Sequence, residues 1–364
     1  MIKILRRIDK PLFFVTCIMF LFGLLMIFSA SYVKAITTLD NAYYYLIRQG
    51  IILFMSVVLL LLLFPFGIIV NGAKSWLPLP IFNFQPTEFA KIAIIIFMAY
   101  YYDRHKNNKD DYKIALKPFV YVIFICALIA TQPDLGSAII VFMISFSIFI
   151  SVPLFPEVKK KTNKIIGISI LVGIIIVLLL FLNGKSGLYE YQLQRFNFLK
   201  PCQRYTEVGT GYQVCNSYIA INNGGLFGAG IGNSTQKYLY LPESYTDFIF
   251  PVIVEELGVL VGILILLVYT YIIFRILGIA KRCYSLSHSM ICYGVASYIF
   301  VHVFINLVGV LGLLPLTGVP LPFLSYGGSY ALCLTISLTI VQRINYETSI
   351  IRQEEKLKNK INEI

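Results

Sequence analysis

Runs of about 20 apolar residues recur along this chain, and a segment of that kind folds only where its backbone N–H and C=O groups find partners within itself. Nine runs stand at about 11–31, 49–70, 86–102, 118–133, 136–152, 165–183, 248–274, 290–311 and 327–342. The pattern predicts an all-α polytopic integral membrane protein with about nine transmembrane helices. Hydrophobic residues are 58% of the 364 and charged residues 13%, which excludes a soluble domain of this length. The first run is too long for a signal-peptide core and further runs follow it, so cleavage is not expected.

The formal net charge of +12 is not a nucleic-acid signal, because the basic residues sit in short clusters between apolar runs. Arg104, Lys106, Lys109, Lys113 and Lys117 mark one loop, Lys159, Lys160, Lys161 and Lys164 a second, and Arg275, Lys281 and Arg282 a third. With the charged tail at about 343–364, they fall on one side when the intervening spans are counted, and that side is cytoplasmic. The tail is expected to form a short cytoplasmic helix, and the large loop at about 184–247 then faces outward. No tandem repeat or low-complexity linker divides the chain, so residues 1–364 read as one membrane domain.

Parity makes the N-terminus difficult to place. Only 23 residues separate Arg48 from Gly72, enough for one helical crossing and not for two. Counting back from the basic 103–117 loop puts Trp76 outside and the N-terminus outside as well, against the basic start Lys3, Arg6, Arg7 and Lys10. It also brings Arg48 near the inner face. The alternative has 49–70 entering and returning as a broken hairpin near Pro65 and Gly67. The downstream clusters outnumber the N-terminal one and favour nine full spans with an external N-terminus.

Chemistry is concentrated where "LPESYTDFIFPVIVEELG" (241–258) places Glu243, Asp247, Glu255 and Glu256 at the mouth of a span. Acidic side chains are costly there and mark a wet cavity or a charged partner. Pro251 fits only the first turn of a helix, so the helix begins near Asp247, where unpaired N–H groups favour a carboxylate. Asp247 read blandly is a helix cap, with Thr246 able to cap beside it. Glu255 and Glu256 read as support, paired with basic groups or helix ends. Cations in the same loop are Arg195 and Lys237. "FQPTEFAK" (84–91) puts Glu88 and Lys91 three residues apart on one helix face. Trp76, the only tryptophan, ends "NGAKSW", and Asp134 lies at an outer turn in "TQPDLGSA". "GLLPLTGVPLPFLSYGGS" (312–329) has three prolines and no charge, as suits a rigid re-entrant wall buried in protein.

Other chemistries are disfavoured. The outer loop has no histidine for a Ser–His–Asp hydrolase, since the three are His105, His288 and His302. "GGLFGAGIGNS" (224–234) lacks the strand before and helix after that a dinucleotide loop needs, and reads as a turn-rich loop. There is no CxxC or Cys/His cluster for zinc. Only Cys202 and Cys215 share the outer loop, where an oxidised pair is one option that spacing does not decide.

"QPDLGSA", "GGLFGAGIGNSTQKYLYLPESYTDFIFPVIVEELG" and "GLLPLTGVPLPFLSYGGS" closely resemble the signatures of the SEDS family, the FtsW/RodA/SpoVE group, with "SAS", "RQ", "GAKSW" and "FQPTEFAK" in the same order. Within the group "GNSTQKYLYLPE" looks most like the FtsW or SpoVE version. The resemblance implies ten spans rather than nine, and a peptidoglycan glycosyltransferase that polymerises lipid II at the outer face of the bacterial cytoplasmic membrane. It implies a class B penicillin-binding protein as partner, with other division proteins. The family's essential acid falls on Asp247. Its cavity residues fall on Arg48, Trp76, Glu88, Lys91, Asp134, Asn216, Glu243 and Ser325. Three departures are visible: Tyr245 where histidine is frequent, Pro251 where a small residue is usual, and Tyr330 ending the "SYGGSS" motif.

The residues fit that activity on their own terms. Polymerisation needs a base for an acceptor hydroxyl, which a positioned carboxylate supplies. The lipid pyrophosphate leaving group needs cations: Lys91, Arg195 and Lys237, with a divalent ion (Mg or Mn) as a candidate helper. Rival readings are an elongation polymerase of RodA type, a lipid II flippase, and a non-catalytic division scaffold. Carboxylates at the midplane would favour a transporter, whereas clustering at the outer face favours an enzyme.

Overall fold

The computed structural model describes residues 9–39, 77–78, 83–107, 111–130, 135–153, 156–165, 167, 201–204, 210–238 and 240–362. Its helices are α1 (Lys10–Leu39), α2 (Pro86–Arg104), α3 (Tyr112–Ala130), α4 (Leu135–Ser151), α5 (Thr210–Gly224), α6 (Ile249–Leu257), α7 (Val259–Ala280), α8 (Leu286–Val310) and α9 (Gly328–Asn362). The fold is helical, as apolar runs without edge protection require. Among the described residues a single 3-10 turn, Pro201–Arg204, precedes α5, and a two-residue antiparallel pair, β1 (Leu77–Pro78) with β2 (Asn83–Phe84), lies ahead of α2. Helices α1, α3, α7 and α8 are long and apolar enough to cross a membrane, and the chain is a multi-pass membrane protein. The run at 49–70 and nearly all of that at 165–183 lie outside the described residues.

Helix α8 is the centre of the packing. Of its apolar stretch 61% is buried, against 28% for α3 and α7 and 33% for α1. Gly294 makes this closeness feasible: a Cβ there would lie 2.5 Å from Ile95 of α2 and 3.1 Å from Ile148 of α4. The 312–327 segment is irregular and tucked inward, with Leu321, Phe323, Leu324 and Ser325 buried, as its prolines and lack of charge predict. Tyr269 of α7 donates to the Pro322 carbonyl, and Phe20 of α1 meets Phe323 edge-on at 4.9 Å.

Three expectations are corrected. The run at 248–274 is not one helix, because Gly258, at φ +87°, ends α6 before α7 begins. The charged tail is not a separate helix; it continues the last apolar run as the 35 residues of α9. The external N-terminus is also overturned. Asp9, just before α1, accepts from Arg275 Nε at 3.1 Å, and its N–H donates to Gln342 of α9 at 2.8 Å. Ser29, nearly two-thirds along α1, instead reaches Glu256 at 2.6 Å, at the opposite end of α7. The start of α1, with Lys10, therefore shares its side with Arg275, Lys281 and Arg282, as the rule of positive charge inside requires. Helix α1 then ends on the side opposite those basic residues.

Candidate functional site

The end of α6 and the glycine run after α5 form one interlocked corner. Ala229 and Gly230 donate to the carbonyls of Glu255 and Glu256 at 2.9 Å each, and Val259 N–H donates back to Gly225 at 2.9 Å. These bonds satisfy carbonyls that a broken helix would leave bare. The glycines permit the approach: a Cβ on Gly228 would lie 2.3 Å from the Glu256 carbonyl oxygen, at φ +84°. The run is thus the turn-rich loop that its composition predicts.

Both glutamates act as supports. Glu255 accepts from the Ser234 hydroxyl, from Thr235 Oγ1 at 2.8 Å and its N–H at 3.1 Å, and from Asn223 Nδ2 at 3.1 Å. Glu256 pairs with Lys237 at 2.9 Å and accepts from Ser29. The three donors of the Lys237 ammonium go to Glu256, to Ser29 Oγ at 3.2 Å and to the Gly232 carbonyl at 2.7 Å, with the side chain 3% exposed. Lys237 is therefore not the free cation for a pyrophosphate that its loop position suggests, because its donors are already committed.

Asp247 lies two residues before α6 and is half-buried. It is not the cap: Phe248 holds that position without a side-chain bond, and Thr246 Oγ1 donates to Glu243 Oε2 at 2.8 Å instead of capping. The backbone around Asp247 is pinned from several directions. Asn306 Nδ2 of α8 donates to the Asp247 carbonyl at 2.8 Å and to Val319 at 2.7 Å. Ser325 Oγ donates to the Thr246 carbonyl at 2.7 Å and accepts from Leu321 N–H at 2.7 Å. Glu243, exposed and at φ +56°, accepts at its carbonyl from Thr246 and Phe248 N–H at 3.1 and 3.2 Å. The carboxylate itself faces Gly318, where a Cβ would come within 3.2 Å of Oδ2, so glycine leaves that side open.

A buried polar cluster adjoins the loop. Lys91 Nζ donates to Glu88 Oε1 at 2.6 Å and lies 3.2 Å from His302 Nε2. Tyr298 donates to Glu88 Oε2 at 3.2 Å. Tyr330 stacks on the His302 ring at 4.7 Å. Tyr298, His302 and Asn306 recur every four residues on α8, so one helical stripe links the Glu88–Lys91 pair to the Asp247 backbone. His302 and Asn306 were missed in the sequence: each is one polar residue in an apolar run, far along the chain from what it touches.

The remaining candidates divide plainly. Asn216 is fully buried and donates its amide N–H to the Tyr240 carbonyl at 2.9 Å, so it, like Ser325, holds a loop. Arg48, Trp76, Asp134 and Arg195 lie outside the described residues. Cys202 and Cys215 form a disulfide that fastens α5 to the preceding turn. Among the described residues no three His, Cys, Asp or Glu side chains converge.

A sequence profile for the FtsW/RodA/SpoVE family, described as cell cycle protein, matches residues 51–350. The chain belongs to this family. It is 34% identical to the Bacillus subtilis protein named "Probable peptidoglycan glycosyltransferase FtsW", with 98% of this chain and 94% of that protein aligned. The Haemophilus influenzae protein of the same name is also 34% identical, over 94% of this chain and 92% of its own length. In fold, the chain matches a subunit from a structure described as "Structural coordination of polymerization and crosslinking by a peptidoglycan synthase complex", with TM-score 0.61, 21% identity and coverage of 94% and 98%. Two departures of this FtsW/RodA/SpoVE member are buried aromatics: Tyr245 meets Tyr326 edge-on at 5.8 Å, and Tyr330 covers His302. Pro251 is accommodated as the third residue of α6, where its missing N–H costs no helical bond.

Proposed function

We propose that this protein is a peptidoglycan glycosyltransferase that polymerises lipid II at the outer face of the bacterial cytoplasmic membrane for septal synthesis, beside a class B penicillin-binding protein. One observation carries the reading: Asp247 is only half-buried on a loop pinned by α8 and the 312–327 segment, while Glu88, Glu255 and Glu256 are each at most 2% exposed and already paired. Only a reachable carboxylate can serve as base. In this mechanism the acceptor sugar hydroxyl gives its proton to Asp247 as its oxygen bonds to the anomeric carbon. The bond from that carbon to the pyrophosphate oxygen breaks, and the lipid pyrophosphate departs with the electron pair. Glu243 orients the loop through Thr246. Lys91, held by Glu88 and His302, contributes fixed positive charge below the site. Arg48, Trp76, Asp134 and Arg195 remain the proposed substrate contacts.

The test is purified protein supplied with lipid II, with and without its penicillin-binding partner, followed by separation of the glycan products. Polymer of many disaccharides supports the reading. Lipid II that crosses vesicles without being polymerised would support the flippase instead.

A further inference from the structure

The outer loop is charge-free from Val208 to Gln236, and the structure shows what that stretch abuts. Helix α7 has 22 residues, about 33 Å at ~1.5 Å per residue, enough to cross the hydrocarbon layer unaided. Its first residues, Val259 and Leu260, donate N–H to the carbonyls of Gly225 and Leu226 at 2.9 and 3.4 Å. Leu226 and Phe227 therefore stand at the outer end of a span, and they are 61% and 80% exposed. The neighbouring face of α7 is also bare and apolar, with Leu260, Ile263, Leu264 and Leu267 all about half-exposed or more.

The same arrangement recurs at the top of α8. Ser217 and Tyr218 of α5 donate to the last carbonyls there, Val310 and Leu311, at 2.8 and 2.9 Å. Beyond them Leu313 and Leu314 are 65% and 47% exposed. Helix α5 is thus tied to the outer ends of two spans, each bond set at a span's boundary and each followed by a bare apolar tip.

We propose that these two tips, Leu226–Phe227 and Leu313–Leu314, insert into the outer leaflet, making the α5 region an interfacial membrane layer rather than a loop in water. The occupant is phospholipid, because the bare surface continues that of α7 without a charged rim between. Such insertion reaches about 5–10 Å into the boundary of headgroups and acyl chains. It sets the depth of the corner that carries Glu255, Glu256 and Lys237. The proposal does not depend on the chemistry at Asp247.

Tryptophan fluorescence in nanodiscs tests it, in a Trp76→Phe background with Phe227→Trp or Leu313→Trp introduced singly. Leu357→Trp, 61% exposed in the charged tail, is the water-facing control. Bromine-labelled phospholipid is expected to quench the emission at either tip well beyond that of the control, with aqueous iodide quenching only the control. Strong iodide quenching at the tips without bromolipid quenching overturns the proposal and marks the surface as open to water or to a protein partner. The two tips are independent, so loss of one variant to misfolding leaves the other to decide.

Discussion

A buried ion pair is best understood from what happens when half of it is removed. Lys237 and Glu256 are enclosed together, so Lys237→Met strands a carboxylate and is expected to cost about 3–5 kcal/mol, whereas Lys237→Met with Glu256→Gln should regain most of it. Thermal unfolding of the detergent-solubilised single and double variants measures this. The Glu88–Lys91 pair predicts a similar pattern in activity. If Lys91 acts through its bond to Glu88, the double change Glu88→Gln with Lys91→Met recovers glycan synthesis lost by either single change; a pyrophosphate-binding Lys91 gives no recovery. At this scale the sequence showed which residues matter better than what they do. Asp247 and the supporting glutamates were legible because carboxylates at a span mouth need a reason. Lys237 was misread and His302 passed over, since their partners Glu256 and Lys91 are 19 and 211 positions away.

Hydropathy locates an apolar element without revealing where its backbone turns. The run at 248–274 is apolar throughout, yet Gly258 adopts φ +87° and splits it, because the Leu226 carbonyl occupies the space a side chain would need. A Cβ there would lie 2.2 Å from that oxygen. Gly258→Ala is therefore expected to destabilise by more than the roughly 1–3 kcal/mol of backbone strain alone. Gly225 has φ +51° but open space around it, so Gly225→Ala should show only the strain. Melting temperatures of the two variants separate the contributions, and equal losses would contradict this account of the break. The stripe of Tyr298, His302 and Asn306 was hidden for a related reason: periodicity shows a shared face but not the neighbour that face meets.

For the molecule as a whole, counting spans back from the downstream basic loops gave the first helix the opposite orientation to the one its contacts show. That count rested on the run at 49–70, which lies outside the described residues, and it was weighed against the basic start Lys3, Arg6, Arg7 and Lys10. The contacts of Asp9 and Ser29 at opposite ends of α7 reverse that choice. A cysteine introduced at Thr38, near the outer end of α1, is expected to react with an impermeant thiol reagent added to intact cells; protection there with labelling after lysis would contradict the topology. The central claim is that the pinned outer corner exists to present one carboxylate. Asp247→Asn keeps the shape of that side chain and removes its basicity. Lipid II polymerisation by the purified, folded variant is expected to fall by about 10²–10⁴-fold with lipid II binding retained, and turnover close to that of the unaltered protein would contradict the assignment.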